Sequence, residues 1–131
     1  MRLVIVRHAE AEPGKPDELR PLTARGREQA IELGERLTAR DLVPEAVVTS
    51  PLVRARETAE ALCLGEVAVD DRLAPGAAAE DVLAAAAGRG ETVLVVAHQP
   101  DCGRMVAALT DGPEPPFPPA GYAVVDLEGD G

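Results

Sequence analysis

Two histidines and two arginines follow predicted strands. His8 and His98 are the only histidines of the chain, and each comes directly after an apolar run that is typical of a buried strand. Arg7 precedes the first histidine, and Arg54 comes shortly after a third strand pattern. The carboxyl ends of parallel strands share one edge of a sheet, where ligands usually bind. We therefore expect these four side chains to converge at that edge, although they are far apart in the sequence.

The chemistry of this set favours a phosphoryl group. An arginine fork matches phosphate oxygens, and a buried arginine needs an anion beside it. A neutral imidazole can attack phosphorus, and a second one can donate a hydrogen bond to the transferring oxygens. Taken alone, Arg7-His8 is better explained as a surface arginine and a structural histidine at a strand end. The placement of both histidines and two arginines after strands favours a function instead.

The elements that would position these residues alternate between strand and helix patterns, which predicts a three-layer α/β/α sandwich with a mostly parallel central sheet. Strands are predicted at residues 3–6, 46–49, 67–69, 92–97 and 122–127, and helices at 23–39, 51–62, 77–87 and from Pro100 to near residue 112. Thr23 can cap the first helix, and Ser50 followed by Pro51 indicates the start of the second. Arg54 and Arg56 lie two positions apart on that second helix, so only one of them is expected to face the pocket.

Composition limits the class of partner. The chain has 131 residues, of which 46% are hydrophobic, and this suits a single domain over residues 1–131. A net charge of −10 argues against nucleic acid or an anionic membrane as the partner, so an anionic substrate needs a local basic pocket. No apolar run approaches transmembrane length. Because strand-like residues begin at position 2, we expect no signal peptide. With Cys63 and Cys102 as unpaired thiols, we expect a cytoplasmic protein. Because small single domains of this kind are often monomers, we also expect a monomer.

Four motifs resemble the histidine phosphatase superfamily, which has the phosphoglycerate-mutase-like fold. They are residues 6–10 (VRHAE), 22–26 (LTARG), 49–58 (TSPLVRARET) and 96–98 (VAH), in the family's order. The short length, residues 20–23 (RPLT) and residues 98–100 (HQP) look most like SixA-type phosphohistidine phosphatases. The resemblance implies that His8 is the phosphorylated nucleophile. It also implies that Arg7 and Arg54 bind phosphate together with His8, and that His98 completes this catalytic pocket.

The chain departs from the family pattern at the general acid. Relatives that cleave alkyl phosphates carry a Glu or Asp after the third strand, but here the first carboxylate of that loop is the late Glu80. Further candidates are Asp81, Asp70, Asp71 and Glu10. Residues 12–14 also lack the Asn of larger relatives, and Ala9 stands where many relatives have Gly. Of these departures, the missing acid bears most directly on the substrate.

A site without a clear acid is better matched to phosphohistidine than to a sugar phosphate. Imidazole leaves near its own pKa of about 6.5, whereas an alkoxide must be protonated. The short chain also leaves little room for a lid, so an open groove could admit a protein side chain. We therefore expect a phosphohydrolase acting on phosphohistidine in a protein through a covalent phosphohistidine on His8, without metal or cofactor. The alternatives are a phosphatase for a small phosphate ester, or a catalytically weak phosphoprotein-binding module.

Other kinds of site find less support. A Cys-x5-Arg loop would need arginine at Val69 or Ala108, and no Gly-x4-Gly-Lys phosphate loop is present. Two distant histidines without a carboxylate cluster make a weak metal site. The proline-rich segment 113–119 has P-x-x-P spacing but is expected to be an irregular connector into the last strand.

Overall fold

A five-stranded sheet forms the centre of the protein. The computed structural model describes residues 1–127, so the last four residues of the predicted domain, 128–131, lie outside the described residues. The strands are β1 (Arg2–Arg7), β2 (Ala46–Thr49), β3 (Val67–Val69), β4 (Thr92–Ala97) and β5 (Tyr122–Asp126). Their order is β3-β2-β4-β1-β5, with β5 antiparallel at one edge and the other neighbours parallel. The predicted strands and the edge position of the last one are confirmed.

Helices cover both faces of the sheet, which confirms the three-layer α/β/α architecture. They are α1 (Ala24–Ala39), α2 (Val53–Ala61), α3 (Ala79–Ala86) and α4 (Asp101–Thr110), with short 3-10 turns at Asp17–Leu19 and Asp71–Leu73. Helices α1 and α2 pack on one face of the sheet, and α3 and α4 pack on the other. None of these helices has the length and apolar character needed to cross a bilayer.

The alternation of side chains along β1 explains the two core layers. Val4 and Val6 point into the layer with Leu33 of α1, whereas Leu3 and Ile5 point into the opposite layer. All five side chains are at most 1% exposed. Because successive residues of a strand face opposite sides, a strand covered on both faces must be apolar throughout. The continuous apolar run before Arg7 therefore places the end of β1 in the middle of the molecule.

Helix α1 begins as predicted and lies directly against the segment that follows β1. The Thr23 hydroxyl accepts a hydrogen bond from the Gly26 amide at 2.8 Å, and the Thr23 amide donates to the Glu10 carbonyl oxygen at 3.0 Å. A Cβ atom at Gly26 would lie far inside contact distance of that same Glu10 oxygen. Glycine is therefore required here, because it lets the helix approach the chain just beyond His8.

Helix α2 begins later than the sequence predicts. Its first residue is Val53 rather than Pro51, and the Ser50 hydroxyl accepts from the Leu52 amide at 3.2 Å within a turn. The same hydroxyl also contacts His98 at 2.7 Å. The predicted start at Pro51 was wrong. The Ser50 hydroxyl bonds to His98 and to the Leu52 amide, so Pro51 and Leu52 form a turn and the helix begins after it. Helix α3 likewise begins at Ala79 and not at residue 77. The Asp81 carboxylate caps this start by accepting a hydrogen bond from the Ala78 amide at 2.8 Å.

Candidate active site

The structure brings the predicted side chains together at the carboxyl ends of β1, β2 and β4. Arg7 is opposite Ala97 in the sheet, so His8 and His98 follow immediately side by side. The His8 amide donates to the Ala97 carbonyl oxygen at 3.1 Å. The two imidazole rings have centroids 5.3 Å apart. Sheet register alone therefore places both histidines at the same point of the edge.

The His8 ring is held in one tautomer. Its Nδ1 lies 2.7 Å from the Ala9 carbonyl oxygen. A carbonyl oxygen can only accept, so Nδ1 carries the proton and Nε2 keeps a free lone pair. Burial lowers the pKa of His8 to about 4, and the positive charges of Arg54, Arg7 and Arg20 act in the same direction against the opposing hydrogen bond to Ala9. The ring is therefore neutral at pH 7 and can act as a nucleophile.

The His98 ring is anchored on its other nitrogen. Its Nε2 lies 2.7 Å from the Ser50 hydroxyl, whereas its Nδ1 is buried and has no partner among the described residues. The Ser50 oxygen already accepts from the Leu52 amide, which leaves its O–H free to donate to Nε2. In that arrangement Nδ1 carries the ring proton. Burial lowers the pKa of His98 to about 3, with smaller contributions from His8 and Arg54, so this ring is also neutral.

Arg7 is fixed from the chain that leads into β5. Its Nη1 donates to the Phe117 carbonyl oxygen at 2.9 Å, and its own carbonyl oxygen accepts from the Ala120 amide at 3.1 Å. The Arg7 Nε is buried without a partner within the described chain. The segment around Phe117 is irregular, as predicted, but it does more than connect two elements. Its backbone orients an arginine of the cluster, and Pro119 lines the same cleft.

Arg54 is the buried arginine of α2, and Arg56 is exposed, which confirms that only one of the two faces the cluster. Its Nη1 donates to the Asp17 carbonyl oxygen at 2.9 Å, and its Nη2 donates to the Asp17 carboxylate at 3.1 Å. Arg54 Nε is buried without a partner in the described part of the chain. The Thr58 hydroxyl donates to the Arg54 carbonyl oxygen and accepts from the Ala9 amide at 2.9 Å, so it joins α2 to the segment beside His8.

The unpaired nitrogen atoms define what the cleft binds. Within residues 1–127, the buried side-chain nitrogen and oxygen atoms without a hydrogen bond are Arg7 Nε, Arg54 Nε and His98 Nδ1. All three belong to residues that line one cleft of about 380 Å³, together with His8. Buried donors in native proteins are almost always satisfied, and leaving one unsatisfied costs about 1–3 kcal/mol. Three unsatisfied buried nitrogen atoms and two fixed positive charges, on residues that line one cleft, therefore fit an anion with several oxygen atoms.

The acid candidates are distributed unevenly around this cleft. Glu80 is exposed on the first turn of α3 and does not line the cleft. Asp81 caps α3, and Asp70 pairs with Arg72 at 2.8 Å. Asp71, next in the chain, is exposed and also lies outside the lining. Glu10 does line the cleft, and its carboxylate accepts from the Thr23 hydroxyl at 3.2 Å. Of the acid candidates named from the sequence, the structure thus brings only Glu10 to the cluster.

Several residues of the site carried no recognisable chemical signal in the sequence. Phe117 contributes through its backbone carbonyl, which leaves no trace in residue type. Asp17 and Arg20 lie in the proline-rich loop after β1, where charges usually indicate an exposed surface. Ser50 has the sequence signal of a helix cap, but its position directly after a strand that ends at the same edge is also the signal that could connect it with His98.

The model of the histidine phosphatase superfamily (branch 1) matches residues 3–78, more than half of the chain. The chain belongs to the histidine phosphatase superfamily. This confirms the resemblance drawn from the four motifs.

Two relatives of this histidine phosphatase come from bacteria. Phosphohistidine phosphatase SixA of Escherichia coli (strain K12) is 32% identical, over 100% of this chain and 88% of its own. An uncharacterised protein of Picosynechococcus sp. is 34% identical over 71% of this chain, and the match spans 61% of that protein. The solved structure of the protein histidine phosphatase SixA complexed with tungstate has a TM-score of 0.87 at 30% identity, covering 98% of this chain and 89% of that one. The phosphoglycerate-mutase-like fold expected from the resemblance is therefore confirmed.

Proposed function

We propose that this histidine phosphatase hydrolyses phosphohistidine in a protein through a covalent phosphohistidine on His8. The observation that carries the proposal is the set of three buried donors, Arg7 Nε, Arg54 Nε and His98 Nδ1, around an imidazole with a free Nε2. A phosphoryl group offers several oxygens to these donors and an electrophilic phosphorus to the imidazole.

In the first step, the Nε2 lone pair of His8 forms a bond to phosphorus while the bond from phosphorus to the substrate's leaving atom breaks. The leaving atom keeps the electron pair and takes a proton from solvent. The hydrogen bond from His8 Nδ1 to Ala9, 2.7 Å long, keeps the nucleophilic nitrogen unprotonated and stabilises the positive ring that develops. Arg7 and Arg54 neutralise the oxygens that carry charge in the transition state, and His98 donates to one of them.

In the second step, a water oxygen forms a bond to phosphorus as the bond from phosphorus to His8 Nε2 breaks. The electron pair returns to Nε2, inorganic phosphate leaves, and the water proton passes to solvent. The neutral state of His8, set by its pKa of about 4, means that the ring returns ready for the next cycle at pH 7. Two guanidinium groups supply positive charge to both steps, so we expect no metal requirement.

The leaving group favours phosphohistidine. A leaving imidazole needs little help from an acid, because its own pKa is about 6.5. Glu80, one of the acid candidates named from the sequence, does not line the cleft. The similarity to the phosphohistidine phosphatase SixA, over the full chain, supports the same substrate class. Location in the cytoplasm and a monomeric state remain predictions from the sequence.

A second candidate, hydrolysis of a small phosphate ester, is favoured by one observation. Glu10 lines the cleft and could protonate an alkoxide leaving group. In that case Glu10→Gln would slow an alkyl phosphate much more than an aryl phosphate, whose leaving group needs less protonation. For phosphohistidine the same substitution should have little effect.

The proposal is tested by turnover of the EDTA-treated protein on a phosphohistidine protein, on p-nitrophenyl phosphate and on a sugar phosphate. We expect metal-free activity that is fastest on the phosphohistidine protein and is lost in His8→Ala. A quench of wild-type protein and labelled substrate in alkaline denaturant should trap the label on His8 in a base-stable, acid-labile form.

Three results would count against it. Faster turnover of the sugar phosphate would replace phosphohistidine with a small ester as the substrate. Activity retained in His8→Ala would remove the covalent mechanism. Absence of turnover with retained phosphate binding would make the chain a phosphoprotein-binding module.

A further inference from the structure

Two prolines that line the cleft have no role in the proposed function. Pro75 lies in the turn between the second 3-10 turn and α3, and Pro119 lies in the segment that leads into β5. Both are exposed, so their apolar rings face solvent at the cleft. We call this pair the proline rim. The charged residues of the cleft come from other segments, such as Arg54 from α2.

The proline rim and Arg54 stand over opposite faces of the sheet. The neighbours of the rim in the chain, Leu73, Ala77 and Phe117, are buried in the core layer beneath α3 and α4. Ala55, which follows Arg54, is buried in the layer beneath α1 and α2. A phosphoryl group bound at Arg54 therefore has the proline rim across the cleft, where its leaving group can lie.

Pro119 is held in place by the end of β1. The amide of the next residue, Ala120, donates to the carbonyl oxygens of Arg7 at 3.1 Å and of His8 at 3.2 Å. Ala120 has a φ of 60°, a left-handed conformation that is unfavourable for a residue with a Cβ atom. The proline ring fixes its own φ and loses no rotamer entropy when it is covered. Pro119 is therefore a rigid apolar surface beside the nucleophile.

Pro75 is held in place by a buried carboxylate. Asp101, the first residue of α4, is 6% exposed and accepts a hydrogen bond from the Gly76 amide at 2.7 Å. That amide belongs to the peptide bond that follows Pro75. The next residue of the helix, Cys102, donates its amide to the His98 carbonyl oxygen at 2.8 Å. The carboxylate therefore ties the turn of Pro75 to the strand end that carries His98.

A helix cap alone does not explain this contact. Asp81 also lies in the first turn of a helix, and it accepts from the Ala78 amide at the start of its own helix. A carboxylate in the first turn is favourable in either helix. Asp101, however, bonds to an amide 25 positions away, and within residues 1–127 it forms no ion pair. Because burying a carboxylate is costly, its single distant partner indicates that the position of the turn matters.

The geometry points to the proline rim as the subsite for the leaving group, which takes a planar uncharged ring, with Asp101 as the residue that positions Pro75. This inference rests on the proposed function for the reaction, and it names the part of the substrate that the cleft selects. The imidazole of phosphohistidine and the ring of an aryl phosphate share this chemistry. Either ring can pack on the CH faces of proline by dispersion and release water. Proline has no N–H group to offer the hydroxyls of a sugar phosphate.

The test is calorimetric titration of phenylphosphonate and methylphosphonate, which share an anionic head and differ in the ring. Neither compound is hydrolysed, so the test does not depend on turnover. We expect wild type to bind phenylphosphonate about tenfold more tightly, and this ratio to fall about threefold in Pro75→Ala and in Pro119→Ala. Pro113→Ala is the matched control, because Pro113 is exposed and does not line the cleft.

The positioning role of Asp101 is tested on the same ratio. Asp101→Ala should lower it as much as Pro75→Ala does, and the two changes together should add little. Asp101→Asn keeps an oxygen that can accept from the Gly76 amide, so it should restore the ratio. Asp81→Ala should lower the free energy of unfolding and leave the ratio unchanged. Asp101→Glu, which displaces the carboxylate, replaces Asp101→Ala if circular dichroism shows that Asp101→Ala is unfolded.

Several results would overturn the inference. One is a wild type without preference for phenylphosphonate, and another is an unchanged ratio in both proline variants at the cleft. An equal loss of affinity for both phosphonates would make the rim part of the anion site. If Asp101→Ala lowers stability without changing the ratio, the carboxylate only caps its helix.

Turnover separates the two sources of the ring and the two proposals. Pro75→Ala should lower kcat/KM by a similar factor on a phosphohistidine protein and on p-nitrophenyl phosphate. A loss confined to the phosphohistidine protein would overturn the ring subsite, because Pro75 would then contact the carrier protein. A ring preference in a chain that hydrolyses no substrate would refute the proposed function and leave the subsite standing.

Discussion

The cleft has two sides that are held in different ways. On the strand side, Arg7, His8 and His98 are anchored by the Phe117 and Ala9 carbonyl oxygens and by the buried Ser50 hydroxyl. On the loop side, Arg54 and Arg20 are held by Asp17, whose side chain is 63% exposed. Neutral, buried anchors cannot be titrated or screened near neutral pH, whereas an exposed carboxylate can be outcompeted by another anion.

This difference separates two tasks. The nucleophile and its partner histidine must keep their orientation through every step, and short bonds to buried groups give them that rigidity. On the loop side, the ion pair between Arg20 and Asp17 is exposed and can readjust at little cost, since exposed pairs are worth only about 0–1 kcal/mol. The strand side should therefore tolerate substitution less than the loop side.

The largest effect is expected at Arg7, the arginine of the strand side. Arg7→Gln should lower kcat/KM by about a thousandfold, because it removes a fixed donor and its charge from the transition state. Arg2→Gln is the matched control on the same strand, since Arg2 forms a surface ion pair with Asp126 at 2.9 Å. Steady-state kinetics on p-nitrophenyl phosphate measures both. A loss in Arg7→Gln no greater than that in Arg20→Gln would break the contrast between the two sides.

A smaller effect is expected from the anchor of His98. Ser50→Ala should lower kcat about tenfold with little change in KM, because the ring loses one hydrogen bond that orients it and selects its tautomer. Thr49→Val is the control, since the neighbouring buried hydroxyl donates to the Ser50 carbonyl oxygen and does not contact His98. The nitrogen-15 shifts of the His98 ring should move in Ser50→Ala and not in Thr49→Val. Unchanged shifts in both would mean that Ser50 does not set the tautomer.

The last prediction concerns the stability of the protein in acid and not its activity. Burial holds the pKa values of His8 and His98 at about 4 and about 3, whereas unfolded histidines bind protons near 6.5. As the pH falls from about 6.5 toward 4, the histidines of the unfolded state bind protons, whereas those of the folded state stay neutral. The free energy of unfolding should then fall by up to about 1.4 kcal/mol per pH unit for each histidine.

Urea unfolding of wild type and of His8→Gln/His98→Gln between pH 7 and pH 5 measures this slope. The double variant keeps the carboxylates of the protein, so the difference between the two slopes isolates the histidines. Saturating phosphate should reduce the difference, because a bound anion favours the charged rings. If the difference in the free energy of unfolding between wild type and the double variant does not change with pH, both rings titrate normally.

Much of the fold could be predicted from the sequence because it depends on local pattern. A continuous apolar run such as residues 92–97 is read as a strand whatever surrounds it, and the Thr23 cap depends on neighbours three positions away. Because His8 and His98 each follow directly after such a run, their place at the carboxyl edge of the sheet could also be predicted. The start of α2 was missed because Ser50, a good helix cap by composition, is used by a ring 48 positions further along the chain.

The sequence by itself determined which groups could do the chemistry: two imidazoles, and arginines placed after strands of a parallel sheet. Tertiary structure alone decided which nitrogen of each ring is free, which arginines share Asp17 and which carboxylate reaches the cleft. The physical reason is that a residue's type and local spacing limit what it can donate or accept. Its actual partner, such as the Phe117 carbonyl oxygen for Arg7 across 110 positions, depends on how distant segments pack.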